Sequence, residues 1–577
     1  MTDLHETGRL RLWPAWLISA ITLAALVISV TPSIANRPRF LVMMAGPLLV
    51  SVLFSGWVLF GSRLRWREKL GLAAAAVIFP VIAAMISVPE SALRTTLWTN
   101  GVPLAVFTVT AGLSLASMHP RRSWVAATLL AIGWGSFALV RNEGFDGDYY
   151  PEFTWRWNPV HESTLPQLGS SSVGGKLPES QDAQSSDETE TLSWPGFRGL
   201  DGSGVIADSL PSTDWKANPP REVWRIPVGP AWSSFSHHNG RLFTQEQRGD
   251  LEYITCYSAA DGQLIWSHSD STRFTEVVSG AGPRSTPSVR DGHVFALGGR
   301  GLLTCVRESD GVLVWQRNLE AELSAPVPMW GFSGSPLIHD GMLIVYAGGS
   351  DGHGLISLDS ATGSPKWKFS SSGMNYSTAR VFTLSEQSLI VFCDSNGVHA
   401  LEPQTGTEVW TFKPDEWQGP PMVDPQLLSP DRLLISLGDG IGMCCLEVKS
   451  SDKKWLVNEL WRSTRLRPSF NDSVVDGDSV YGFNQSIFSC IDANTGERRW
   501  HGGRYGFGQA VLLKDSSTIV VAAENGDAVF LKATPEKLEE QLRMPVLNDK
   551  TWNHPIVVGS RLFMRNGKVA VCLELVN

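Results

Sequence analysis

At 577 residues the chain is too long for one ordinary domain. Its 43% hydrophobic content, 54 glycines and 23 tryptophans fit a Trp-rich β-protein joined to a membrane part. A net charge of −9 leaves no basic footprint, which speaks against nucleic acid as a partner.

Residues 1–141 carry five apolar stretches, Leu12–Val30, Phe40–Phe60, Leu70–Val88, Leu97–Ala116 and Trp124–Val140. Each is near the roughly 20 residues that a helix needs to cross a hydrocarbon core, so five transmembrane helices are expected. With a cytoplasmic N-terminus, eight Lys or Arg fall in the inside segments and four in the outside ones. The bias places the N-terminus in the cytoplasm of an inner-membrane protein and everything after Arg141 on the extracytoplasmic side. No acidic residue interrupts a stretch, so the lipid bilayer is the expected partner and anchoring the expected role.

Residues 142–160 are aromatic and acidic (Phe145, Asp146, Asp148, Tyr149, Tyr150, Trp155, Trp157), a composition suited to the membrane–water interface. Residues 161–193, with eight Ser, six acids and one Lys, read as a disordered linker. The expected domains are therefore 1–141, a connecting 142–193, and 194–577.

From Trp194 a phrase recurs: a tight turn, then a tryptophan four residues after its glycine. It stands at Asp261-Gly262…Trp266, Asp310-Gly311…Trp315, Thr362-Gly363…Trp367, Thr405-Gly406…Trp410 and Thr495-Gly496…Trp500. Gly accepts the positive φ of the turn, and the Trp on the following strand packs between sheets. Six residues before each glycine lies a small residue (Cys256, Cys305, Ser357, Ala400, Cys490), as a crowded strand position requires. A period of roughly 40–50 residues is the mark of radially repeated sheets.

Eight repeats can be placed. The fifth is degenerate, with Trp455 or Trp461 as its docking residue; the seventh lacks the Trp, and the eighth stops after its third strand. The missing strand is available at Arg221–Val228, which would close an eight-bladed β-propeller and remove its exposed edges.

The (D/T)-G-x3-W phrases, together with Leu358-Asp359-Ser-Ala-Thr-Gly363 and Ile491-Asp492-Ala-Asn-Thr-Gly496, resemble the PQQ-type repeats of quinoprotein dehydrogenases and of the assembly lipoprotein BamB. The opening Trp194-Pro-Gly-Phe-Arg-Gly199 is similar to the lead-in of membrane-anchored PQQ-like propellers. Catalytic and non-catalytic members share such repeats, so the resemblance implies the fold and leaves the function open.

Two functions follow from it. The first is a non-catalytic binding or scaffold module using the residues that begin each innermost strand. These include Trp232, Arg284, Trp330, Asn375, Arg467, Gln509 and His554, with Arg248 from a further polar cluster, Gln245–Arg248. Such a ring suits an extracytoplasmic protein, a peptide or a small polar ligand. The alternative is a PQQ-dependent quinoprotein dehydrogenase oxidising an alcohol or sugar. The resemblance to membrane-bound glucose dehydrogenase implies it, as does Cys444-Cys445, which matches the vicinal disulfide of alcohol dehydrogenases that hold PQQ and Ca²⁺. Against it, the loops that build the cofactor pocket are missing and Cys445 occupies the small-residue slot of the fifth repeat. No catalytic residue, metal site or resident cofactor is therefore assigned.

Overall fold

A computed structural model describes residues 10–31, 34, 36–86, 93–168, 193–207, 210, 214–348, 353–415, 417–451 and 454–575. The chain divides into two units. One comprises Met1–Pro159 with Thr275–Gly280, the other Val160–Phe274 with Ala281–Asn577.

The first unit is helical, with a helix in each of the five apolar stretches. These are Trp13–Ser29, Asn36–Gly56 continuing through a π turn Trp57–Gly61, Trp66–Ile86, Leu93–Thr96 continuing through Leu97–Gly101 and Val102–Leu115, and Arg122–Ser136. The expectation of five spanning helices is corrected. Among the described residues two helices, Pro38–Gly61 and Trp66–Ile86, are long and apolar enough to cross a membrane. Trp13–Ser29 is apolar but shorter. The fourth helix opens on Arg94, Thr95 and Thr96 and carries Thr99 and Asn100. The fifth runs for only 15 residues. A hairpin, Val140–Phe145 with Pro151–Trp155, follows the helices.

The second unit is the propeller. Seven four-stranded antiparallel sheets and one five-stranded sheet follow in chain order, each strand pairing with its sequence neighbour. The eighth sheet closes as expected: Arg221–Pro227 pairs with Val569–Glu574, Trp224 standing opposite Cys572. The fifth strand of the seventh sheet is Val205–Ile206, parallel to the innermost strand Gln509–Leu513.

The repeated phrase has one physical content, a contact between blades. Each docking Trp lies opposite the small residue of the neighbouring strand, as in Cys256–Trp266, Cys305–Trp315, Ser357–Trp367 and Ala400–Trp410. Its indole N–H donates to a carbonyl of the next blade: Trp266 to Glu308 (2.9 Å), Trp315 to Ser360 (2.9 Å), Trp500 to Thr534 (2.8 Å). Where the next turn carries its glycine, that glycine lies over the ring. Gly311 has φ +72°, and a Cβ there would stand 2.5 Å from Trp266. The same relation joins Gly262 to Trp224, Gly363 to Trp315 and Gly496 to Trp461. Glycine is thus required twice over, by its dihedral and by the indole beneath it.

This settles the fifth repeat. Cys445 lies opposite Trp461, whose N–H reaches Ala493 O (3.0 Å), while Trp455 pairs with Ser450 near the hairpin tip. The seventh blade has Leu542 opposite Phe530, and the lead-in residue Trp215, fully buried, packs on that Phe (4.7 Å).

Residues 161–168, expected to be disordered, are ordered against blade one. Glu162 pairs with Arg273 (2.7 Å), and the carbonyls of Pro166 and Leu168 accept from Arg248 (2.8 Å) and Tyr253 (3.2 Å). The rest of the expected linker, 169–192, lies outside the described residues.

Gly311→Ala should destabilise the propeller by about 2–4 kcal/mol, through dihedral strain plus overlap with Trp266. Gly341→Ala is the control. Its φ is +69° but nothing lies within 4 Å of its Cβ, so it should cost only about 1 kcal/mol. Equal losses of thermal stability in the two variants would show that the indole contact contributes nothing.

Candidate functional site: the propeller axis and the aromatic mouth

The innermost strands run along the axis, and a ladder of hydrogen bonds joins them around it. The Ser234 N–H donates to Thr286 Oγ1, Thr286 N–H to Ser335 Oγ and Ser335 N–H to Thr378 Oγ1, each at 3.0 Å. Two carboxylates then replace the hydroxyls: Thr378 N–H donates to Asp424 Oδ1 (2.7 Å) and Asp424 N–H to Asp472 Oδ1 (2.9 Å). At the eighth blade, Ser234 Oγ donates to the His554 carbonyl (3.0 Å).

These carboxylates are buried because the lead-in meets them with cations. Trp194 bridges to His237 in blade one, and Pro195 O accepts from Val289 N–H in blade two. Phe197 O accepts from Arg380 of blade four (3.0 Å), and its ring meets His554 edge-on (4.8 Å). Arg198, 1% exposed, stands 3.1 Å from Asp472 Oδ1 and donates through Nη2 to the Ser473 and Ser203 carbonyls. The strap then reaches blade seven as the strand Val205–Ile206. Arg380 holds Asp424 through both Nε (2.9 Å) and Nη2 (2.5 Å). Burial disfavours both carboxylates, yet Arg198 and His554 hold Asp472 below the usual range. At Asp424 burial prevails over Arg380, and the neighbouring Asp472 adds to the upward push. Burial also lowers His554, against the pull of Asp472.

At the starts of the innermost strands lies a different surface. Trp232 and Trp552 approach to 4.8 Å, and Phe470 joins them (4.9 Å to Trp552) with Phe507 behind it (5.9 Å). Lys550 Nζ stands 4.7 Å from the Trp552 ring centre and 5.6 Å from that of Trp232. Glu524 accepts from Trp552 Nε1 (2.8 Å). Both tryptophans are half-buried. The result is a cation held on two aromatic faces with a carboxylate beside them.

The expected site residues separate into groups. Trp232 belongs to the aromatic mouth, and Gln509, buried, donates to Phe470 O beneath it (3.1 Å). Trp330 packs on Tyr376 (5.0 Å), next to buried Asn375, which donates to Ser377 Oγ (3.1 Å). Arg284 lies over Phe274 (5.0 Å), and Arg467 donates to Asn484 (2.9 Å). His554 is on the axis with Asp472. Arg248 is elsewhere, buried beside Glu246 (3.1 Å) in the seam between blades one and eight. There Tyr257 donates to Glu246 (2.6 Å), and Arg565 of blade eight reaches Thr244 Oγ1, Gln245 O and Gly229 O. The polar cluster Gln245–Arg248 is thus a ring-closing seam. Burial lowers Arg565 only to about 10, so it stays charged.

Arg198, Arg380, Asp424, Asp472 and Lys550 were not anticipated. A signal for the carboxylates exists. Aligned by blade, the ladder position reads Ser234, Thr286, Ser335, Thr378, Asp424, Asp472, and the break from hydroxyl to carboxylate marks the acidic side of the axis.

The residues do not fit the cofactor arrangement that the dehydrogenase resemblance implies. Cys444 and Cys445 are consecutive in the strand Met443–Ser451, so their side chains leave opposite faces. Cys444 packs into the core between blades four and five, Cys445 into that between five and six. Burial raises both thiols, Cys445 to about 11. Neither converges on the axis as a vicinal disulfide would.

The family model described as outer membrane protein assembly factor BamB matches residues 250–502 and 370–541, half of the chain. The chain belongs to this family. No curated protein matches it. Among solved structures, the quinohemoprotein alcohol dehydrogenase from Comamonas testosteroni is 11% identical with a TM-score of 0.52, covering 68% of this chain and 81% of that one. BamB from Moraxella catarrhalis is 14% identical, TM-score 0.45, covering 62% of this chain and 99% of its own. At such identities the likeness concerns the fold. The PQQ-like family assignment therefore leaves binding module and quinoprotein-like enzyme both open.

Glu252 lies near Arg284, 5% exposed, with Asp270 directly opposite on the next strand. Burial pushes its carboxyl up to about 7, with Asp270 adding to it and the Gly299 N–H and Arg284 opposing. The folded state thus holds the proton more tightly than the unfolded chain. That contribution is full below pH about 4.5 and is lost as pH rises through about 7. Glu252→Gln should leave stability unchanged near pH 4.5 and raise it by up to about 3 kcal/mol at pH 8. A pH-independent effect in thermal melts would refute the buried-carboxyl assignment.

Proposed function

We propose that the protein is a membrane-anchored, extracytoplasmic binding or scaffold module, non-catalytic, that takes its partner at the aromatic mouth of the propeller. The observation that carries this reading is the filling of the axis. The strap from Trp194 to Ile206 crosses from blade one to blade seven and puts Arg198 against Asp472. A quinone cofactor on the axis would have to displace it without supplying a guanidinium to Asp472 in place of Arg198. The opposed faces of Cys444 and Cys445 support the same conclusion.

What remains accessible is the mouth. Trp232, Trp552 and Phe470 offer large, rigid faces, and Lys550 with Glu524 offers charge of both signs. Met329 and Met374 beside Trp330 and Tyr376 are well exposed and extend the apolar surface. Aromatic anchors framed by charge suit a protein or peptide partner. The helical unit serves as the anchor, with Pro38–Gly61 and Trp66–Ile86 as its best spans.

Trp232→Ala with Trp552→Ala should weaken partner capture in cross-linking from intact cells at least tenfold, as expected when about 1.4 kcal/mol or more is lost at a central aromatic pair. The propeller's melting temperature should fall only modestly, because both rings are half-buried. The competing enzyme reading predicts stoichiometric uptake of PQQ with Ca²⁺ and dye-linked oxidation of an alcohol or sugar. Either result on the purified full chain would overturn the proposal. Reporter fusions in the Ser62–Arg65 loop and after Pro159 should lie on opposite sides of the membrane, and the same side for both would refute the anchoring topology.

A further inference from the structure

The two arginines on the axis are held very differently. Arg380, from the blade itself, is matched: Nε and Nη2 both reach Asp424, and Nη2 also reaches Phe197 O. Arg198, from the strap, is poorly matched. Its backbone is left-handed, with φ +63°, a conformation that is unfavourable for a non-glycine residue. Its Nη2 carries two carbonyl contacts. Its Nη1 stands 3.1 Å from Asp472 without the alignment of a hydrogen bond, and Nε has no partner among the described residues. On the neighbouring segments of blades six and eight, buried His554 Nδ1, Asn471 Oδ1 and Ser473 Oγ likewise have no partner among the described residues. The strap is pinned at its two ends, by Trp194 and Pro195 on blades one and two and by Val205–Ile206 on the inner edge of blade seven, and Arg198 lies between them.

We propose that the pocket formed by Asp472, His554 and the Ser473 carbonyl is a guanidinium-recognition site, and that Arg198 is its exchangeable, built-in occupant. A ligand presenting a guanidinium competes with the strap for the axis. The chemistry is that of a planar donor fork against a carboxylate and a carbonyl, with the charge of Asp472 left uncompensated if no cation enters. An ammonium, a point charge without the fork, matches this set less well. The strap's short strand indicates how a peptide arginine would be presented, since Gly204 O and Ile206 O accept from the Leu512 and Lys514 N–H groups. The site is separate from the aromatic mouth, and its test does not depend on a partner binding there.

The test uses the full chain and three probes: agmatine as a free guanidinium, putrescine as its ammonium counterpart, and a synthetic peptide of residues 194–207 with and without its arginine. In Arg198→Ala, which leaves Asp472 unpaired, about 10 mM agmatine should raise the melting temperature by several degrees and putrescine should not. The arginine peptide should do the same at lower concentration, and its alanine version should not. In the wild type, agmatine should speed amide hydrogen exchange at Leu512 and Lys514, because expelling Arg198 frees the strap. This second measurement stands even if the variant folds poorly. Stabilisation by agmatine alone identifies a small-molecule guanidinium site, and stabilisation by the arginine peptide a peptide site; either supports the proposal. Equal responses to agmatine and putrescine, peptide binding that ignores the arginine, or no response with unchanged wild-type exchange would each overturn it.

Discussion

The contact on which the propeller depends is an indole covered by a glycine. Trp224, Trp266, Trp315, Trp367 and Trp461 each pack against a small residue of their own blade, give the N–H to a carbonyl of the next blade, and lie under that blade's turn glycine. The three requirements act at one spot, so the spacing between Gly and Trp cannot drift. Where the pattern lapses the structure changes with it. Trp410 faces the long fifth hairpin, Met443–Ser451 with Lys454–Ser463, whose sequence carries no glycine between Gly442 and Gly477, and its indole N–H has no acceptor among the described residues. The seventh blade lacks the Trp and recruits Trp215 from outside the repeats.

Closing such a ring is a task for its ends, and this chain uses its lead-in twice. Arg221–Pro227 completes the eighth sheet, and Trp194–Ile206 braces the axis. The seam between blades one and eight is further held by a buried ionic set, Glu246, Arg248 and Arg565. Buried ion pairs add little net stability over apolar packing, but breaking one is costly. Their value is geometric: only the correct pairing of first and last blade satisfies them. The axial set has a different character. Arg380 and Asp424 are matched as fixed structure, whereas Arg198 is held with strain and with unused hydrogen-bonding capacity around it.

Much of this was legible in the repeats. The eight blades, the Trp224 closure and the small-residue slots follow from a glycine, a tryptophan and a cysteine or serine at fixed offsets, because a strand's period and a turn's dihedral are local properties. The degenerate fifth repeat could not be resolved locally. Trp455 and Trp461 are both strand tryptophans, and only the pairing of Cys445 with Trp461 distinguishes them. The candidate site was legible in part. Trp232 and Trp552 were legible because the start of the innermost strand is a repeat position, but their meeting, with Lys550 against both rings, follows only from closing the two ends of the ring. Arg248 shows the converse: a polar residue in a strand reads as a rim contact until the buried Glu246 and Arg565 beside it are known.

By itself the sequence determined the blade count, the closing strand and the apolar character of the helical unit, since each rests on periodicity or on the composition of a continuous segment. The tertiary structure decided how many helices are long enough to span, because helix ends depend on local turns such as the one that ends Arg122–Ser136. It also decided what fills the axis. Arg198 and Asp472 lie 274 residues apart in sequence. A buried charge is tolerable only where its counter-ion is, so their pairing is a property of the closed ring rather than of either segment.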